Sequence, residues 1–109
     1  MKAYTDLSQS KKLAKILPLE NADMRYAPFG DTHPWVWDEE VKLLEKGSVP
    51  CWSLTALMNV LDRGALFITP QGWACQSYIN FKAITSDHHS NPIDACYEII
   101  LRLHELKML

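Results

Sequence analysis

Residues 65–82 read ALFITPQGWACQSYINFK, and this stretch decides the fold. Two runs rich in β-branched and aromatic residues flank Thr69-Pro70-Gln71-Gly72, whose Pro and Gly stand where a type I turn favours them. The pattern predicts a β-hairpin with strands at 65–69 and 73–81. In the second strand the odd-numbered residues, from Trp73 to Phe81, lie on one side, and we expect that side to face the core.

A helix start precedes the hairpin. Ser53 can cap a helix, and Trp52 and Leu57 then occupy the two positions that form a hydrophobic staple across the first turn. Gly64 suits the left-handed position that follows a helix. We therefore expect a helix near 53–63.

A second helix start follows the hairpin. Asn91 is a good N-cap and Pro92 stands at the first helical position, which predicts a helix near 92–107. Glu98 and Arg102 lie one turn apart and form a favourable pair on its polar side. Its expected buried positions are Ile93, Cys96, Tyr97, Ile100 and Leu103.

The first half of the chain carries weaker signals. Thr5 or Asp6 can cap a helix near 6–17, which Pro18 ends because a residue that precedes proline disfavours helical backbone. The other expected elements are strands near 23–26 or 35–37 and a short helix near 39–46.

Together these elements predict a single α+β domain over residues 1–109, with a small antiparallel sheet packed against three to four helices. The hairpin needs a third strand, for which the segments near 23–26 and 35–37 are the candidates, or else a partner subunit, because a two-stranded sheet is only marginally stable. The composition, 48% hydrophobic and 22% charged, is that of an ordinary globular protein.

Charge and composition make several functions poor candidates. Eleven basic and thirteen acidic residues give a net charge of −2, without the basic stripe that binds nucleic acid. The apolar runs are too short for a membrane span, and no signal-peptide core is visible, so we expect a soluble cytoplasmic protein. No Gly-rich phosphate loop or spaced set of metal ligands occurs, and we expect no cofactor.

Two sequence blocks resemble a known family. One reads PCWSLTAL at residues 50–57, and the other reads NPIDACYE at 91–98, followed by LHEL at 103–106. These blocks are similar to those of an uncharacterised family of small proteins from gut bacteria, their phages and prophages. Weaker likeness covers Leu17 to Glu20 and Ala22 to Met24. The resemblance implies an origin in a phage or mobile element, and it assigns no catalytic residue.

One candidate for chemistry is a thiol. Cys51 lies two residues before the Ser53 cap, where a helix dipole can favour a thiolate, and a nucleophilic thiol needs a histidine such as His104, His88 or His89. The alternative is that Cys51 is an inert core residue, as free cysteines usually are. His104 falls inside the apolar arc of its helix, which favours a hydrogen-bonded residue at the edge of the core.

A metal site is a weaker candidate. Asp87, His88 and His89 carry ligand atoms, but neighbouring histidines rarely turn towards one ion, so a solvated polar loop is the favoured interpretation and we expect no metal.

The last candidate is a partner surface. Trp35 and Trp37 share one face if the chain there is extended, and tryptophan is favoured at interaction hot spots. The alternative is that they close a small core. We thus arrive at two hypotheses, a non-catalytic interaction protein that binds a protein partner or a second copy through Trp35 and Trp37, and a small thiol-dependent enzyme that uses Cys51 and a histidine.

Overall fold

The structure is a computed structural model that describes residues 1–28, 33–37 and 44–109. These residues contain three α-helices, six short strands and one 3₁₀ turn at Leu19–Asn21. In chain order the main elements are α1 (Leu7–Leu13), β1 (Met24–Tyr26), β2 (Trp35–Val36), β3 (Val49–Cys51), α2 (Leu54–Val60), β4 (Ala65–Thr69), β5 (Gly72–Ile79), β6 (Lys82–Thr85) and α3 (Pro92–Glu105). The α+β class is confirmed.

The strands form two antiparallel sheets of three strands, in the orders β2-β1-β3 and β4-β5-β6. The expectation that strands near 23–26 or 35–37 widen the hairpin sheet is wrong, since both belong to the other sheet, where Arg25 pairs with Trp35 on one side and Pro50 on the other. Pro50 lacks an N–H group, and it is tolerated because β3 is an edge strand.

The predicted hairpin is present. Its β4–β5 ladder closes at the pair Thr69 and Gly72, so Pro70 and Gln71 form the turn. The second strand ends at Ile79 and the chain reverses into β6, which supplies the third strand. Cys75 and Ser77 are buried as expected, but the predicted core position of Phe81 is wrong, because the chain turns there and the side chain is 93% exposed.

The caps of the two later helices are as predicted. The Ser53 side chain accepts a hydrogen bond from the N–H of Ala56, and the Asn91 side chain accepts one from the N–H of Asp94. Trp52 and Leu57, the two staple residues, are fully buried in the same core cluster.

Two helix ends differ from the prediction. Helix α2 ends at Val60, and Arg63 rather than Gly64 adopts the left-handed conformation, with φ of 48°. Glycine at position 64 instead leaves room for Leu61, because a Cβ there would lie 2.9 Å from the Cβ of Leu61. Helix α1 begins after an Asp6 cap but ends at Leu13, short of residue 17. The predicted helix near 39–46 lies mostly outside the described residues.

The core lies between α3, α2 and β5, and its largest fully buried side chains include Trp52, Leu57, Ile99, Ile100 and Leu103. Each such side chain contributes about 1.5–3 kcal/mol through the area it removes from water. Crossing a membrane would need a longer and more apolar helix than any that the described residues contain.

Candidate functional site

The tip of the β5–β6 hairpin is an unusual turn. Ile79 pairs with Lys82, so Asn80 and Phe81 alone form the loop, with φ angles of 52° and 63°. Two consecutive positive φ angles define a type I′ turn, in which Asn is common at the first position and Gly at the second. A bulky residue in the left-handed region costs about 1–2 kcal/mol. Phe81 therefore occupies a position that ordinary turn chemistry assigns to glycine.

This cost is not offset by burial of the Phe81 ring. The side chain is 93% exposed, the largest value among the exposed apolar residues of the described part of the chain. A strained, exposed aromatic residue contributes little to folding, and such backbone outliers concentrate at functional positions. The turn thus presents Phe81 to solvent at a cost in stability.

Beside the turn, the Arg63 guanidinium lies over the ring of Tyr78. The guanidinium carbon of Arg63 lies 5.8 Å from the centre of the Tyr78 ring, within the range of a cation–π contact. The Asp62 carbonyl oxygen accepts hydrogen bonds from the Tyr78 N–H at 3.2 Å and from the Ser77 hydroxyl at 2.8 Å. These bonds hold the segment after α2 against β5 and set the position of Arg63.

These side chains surround a shallow groove of about 200 Å³, lined by Asp62, Arg63, Tyr78, Asn80 and Phe81. We call this the hairpin-tip site. Its aromatic and arginine side chains are of the types that dominate the binding energy of protein interfaces. The arrangement suits the binding of a protein surface.

The two tryptophans that the sequence predicts as a pair differ in exposure. Trp35 is 61% exposed on β2, where it lines a groove of about 380 Å³ with Arg25, Ala27, Pro28 and Glu45. Trp37 is only 5% exposed, and its N–H donates to the Asp23 carbonyl. The bond from Trp37 to Asp23 continues the register of the β1–β2 ladder, so the two tryptophans differ in exposure although the extended pairing reaches both.

Cys51 is fully buried in β3. Its thiol donates to the Thr5 carbonyl at 3.4 Å and lies 3.5 Å from the Thr5 hydroxyl. Burial raises the pKa of the Cys51 thiol, and hydrogen bonds from Thr5 and Ser10 offset this only in part. A nucleophilic thiol is partly exposed and has a lowered pKa, so this environment favours the inert interpretation.

His104 is exposed, and its predicted place at the edge of the core is wrong. The buried face of α3 includes Ala95 and Ile99 in addition to the predicted residues, whereas Tyr97 is only half-buried. With Ala95 and Ile99 included, the buried face of α3 points away from His104.

The loop at residues 87–90 makes a contact with α3 that the sequence does not predict. His88 is exposed, whereas His89 Nε2 lies 2.7 Å from Glu98 Oε1. Burial acts to raise the pKa of Glu98, but hydrogen bonds from His89 and the Asp87 N–H, together with the charge of Arg102, lower it. Within the described ranges, no three histidine, cysteine or acidic side chains come together as a metal site.

A groove of about 330 Å³, lined by charged and polar side chains together with Tyr97 and Leu101, lies between the start of the chain and α3. Lys2 Nζ bridges Asp6 at 3.0 Å and Asp94 at 2.9 Å, and the Gln9 side-chain amide donates to Asp94 at 2.8 Å. Both carboxylates are thus already hydrogen-bonded within the chain. We interpret these contacts as ones that hold the N-terminal segment against α3.

The hairpin-tip site leaves only a faint signal in the sequence. Asn80 is the one residue of the 73–82 run that favours a left-handed backbone, and Phe81 continues the apolar alternation of the strand across the turn. The approach of Arg63 to Tyr78 depends on how the segment after α2 folds back, for which the sequence has no local signal.

Comparisons with protein families, with curated proteins and with solved structures find no match to this chain.

Proposed function

We propose that this chain is a non-catalytic interaction protein that inserts Phe81 into an apolar pocket of a partner protein. The observation that carries the proposal is the exposed Phe81 ring in a strained left-handed turn. Glycine at this position would relieve the strain, so the aromatic ring is explained by contacts outside the chain.

The neighbouring residues indicate the chemistry of the partner. The Arg63 guanidinium lies over the Tyr78 ring, and Lys82 follows Phe81 directly, so two cations stand beside the exposed ring. A partner that fits has a concave apolar pocket for the ring and a carboxylate within reach of Arg63. We further propose an accessory role in a bacterial cytoplasm, which the likeness of residues 50–57 and 91–106 to blocks of small phage-related proteins would imply.

Site-specific photo-crosslinking tests this proposal. Benzoylphenylalanine is placed at position 81 in the host cell, and in a matched control at Phe67, a partly exposed phenylalanine in the ordinary strand β4. We expect a protein adduct from position 81 and none of the same mass from position 67. The captured protein is then purified, and its affinity for the chain is measured directly.

Phe81→Gly should weaken that affinity at least about tenfold, a loss of roughly 1.4 kcal/mol, which is more than most interface residues contribute. Phe67→Ala should leave it unchanged. An adduct whose affinity does not depend on Phe81, or the absence of any adduct from position 81, would overturn the proposal. Weakening by Trp35→Ala alone would place the partner surface on β2 instead.

A further inference from the structure

Three sulfur atoms meet in the core between β5, α2 and α3. Cys96 Sγ lies 3.5 Å from Cys75 Sγ and 3.6 Å from Met58 Sδ. Both cysteines are fully buried, and Met58 is partly buried beside them. The two thiols therefore lie in van der Waals contact, although they are far apart in the sequence.

The contact makes the two thiols chemically different. The Cys96 thiol donates a hydrogen bond to Cys75, which lowers the pKa of Cys75. The same bond, together with burial, raises the pKa of Cys96. Cys75 is thus the thiol that ionises more readily, and Cys96 retains its proton. Cys51, the remaining cysteine, has no such partner bond and its pKa is raised by burial.

We propose that Cys75 and Cys96 form an oxidation site at which a hydroperoxide creates an intramolecular disulfide between β5 and α3. The geometry supports this because the sulfur atoms need to approach by only about 1.5 Å to reach the bond length of roughly 2.05 Å. Rotation of the two side chains, with a small shift of α3, can supply such a movement.

With hydrogen peroxide the reaction has two steps. The Cys75 thiolate attacks one peroxide oxygen, the O–O bond breaks, and the hydroxide that leaves takes up a proton to become water, so Cys75 becomes a sulfenic acid. The Cys96 sulfur then attacks Cys75 Sγ, the S–O bond breaks, and the leaving hydroxide takes the Cys96 proton as a second water. Two thiols are oxidised to one disulfide while one peroxide is reduced to two waters.

Because Cys75 and Cys96 are buried, only a small oxidant can reach them. Hydrogen peroxide is little larger than water and can reach the pair by a transient opening beside Met58, which is only partly buried. Bulky disulfide reagents are excluded from the folded chain. The proposal therefore predicts a site that responds to small peroxides and resists oxidised glutathione.

The test treats the folded protein with hydrogen peroxide, removes the excess, and then labels it with maleimide under denaturing conditions. Of the three cysteines, Cys51 alone should be labelled, and the unlabelled protein should lose about 2 Da, the mass of two hydrogens. Peptide mapping should join the Cys75 and Cys96 peptides. Reduction with dithiothreitol should restore three labels, and the thermal midpoint should be higher in the oxidised form.

Three variants control the result. Cys51→Ala should form the same disulfide at the same rate, whereas Cys75→Ser and Cys96→Ser should not lose 2 Da. Should the serine variants fail to fold, wild-type protein oxidised in denaturant provides the comparison, because pairing with Cys51 then also occurs. Three labelled cysteines after peroxide treatment of folded protein, a disulfide that includes Cys51, or oxygen addition without a cross-link would each contradict the proposal.

Discussion

His89 Nε2 lies 2.7 Å from Glu98 Oε1. The segment that pairs with β5 contains one extra residue just before His89, and this extra residue places His89 opposite Trp73. Thr85 and Ser86 continue the β6 register opposite Gln76 and Cys75, yet His89 bridges Trp73. Two residues, 87 and 88, therefore oppose one residue of β5, which is the geometry of a β-bulge. The bulge turns His89 towards α3, where Glu98 accepts its hydrogen bond.

The Glu98→Gln variant should lower the free energy of unfolding by about 1–2 kcal/mol. The carboxylate accepts bonds from His89 and the Asp87 N–H, and it pairs with Arg102 Nε at 2.7 Å, so the substitution weakens several charge-assisted contacts together. Urea denaturation measures the change. Glu105→Gln, an exposed position on the same helix, should change stability by less than about 0.5 kcal/mol. Equal effects of the two variants would show that the Glu98 contacts contribute nothing.

Stability should decrease in acid through the carboxyl groups of Asp6, Asp94 and Glu98. Burial acts to raise each pKa, but the hydrogen bonds that each group accepts lower it below the ordinary value. The unfolded chain then binds protons at a higher pH than the folded chain does. The stabilisation is complete above the unfolded pKa of about 4 and is lost as the pH falls through the folded pKa values.

Denaturant titrations between pH 7 and pH 3 measure this effect. Asp94→Asn removes one of the three groups and leaves a hydrogen-bond acceptor for Lys2, so its stability should fall less steeply with acid than that of the wild type. A wild-type curve that stays flat to pH 3 would contradict the prediction.

Gly72→Ala should destabilise the protein by at least about 2 kcal/mol. Gly72 has φ of 128°, and a Cβ there would lie 2.4 Å from the His89 carbonyl oxygen, which accepts the Trp73 N–H at 2.7 Å. The bulged segment must move away, so amide exchange at Trp73 and His89 should accelerate. Gly47→Ala is the matched control, because it also has positive φ but its Cβ would meet only Pro28, at 3.3 Å. A loss no larger than that of the control would mean that the backbone contact is unimportant.

The features that the sequence predicts well are those that a few neighbouring residues decide. The Ser53 and Asn91 caps each depend on one side chain and an N–H group three residues later, and the Pro70 turn lies within four residues. The sheet β2-β1-β3 has no such signal, since its strands have two or three residues and the pair Arg25 and Pro50 joins distant parts of the chain. Strands this short show no alternation.

The sequence does not predict the candidate sites for the same physical reason, since each depends on contacts between residues that are far apart in the chain. Contact of Cys75 with Cys96 requires α3 to pack on β5, and the pair of His89 with Glu98 requires the bulge, which depends on a register that only the folded sheet defines. Alternation along the strand predicts a core position for Phe81, because its parity matches that of the buried strand residues and a turn between two strands does not interrupt that pattern. Long-range register, rather than composition, determines where these side chains lie.

Replacement of Phe81 by glycine should stabilise the isolated chain while it abolishes the proposed partner contact. Phe81 has φ of 63° and its exposed ring contributes little packing, so glycine removes about 1 kcal/mol of left-handed strain and completes an Asn-Gly type I′ turn. Phe81→Ala is the matched control, since alanine loses the ring but keeps a Cβ and should therefore gain less. Urea midpoints of the three proteins measure the difference. If glycine destabilises the chain, the ring makes a folding contact in solution, and the strain would no longer point to a partner.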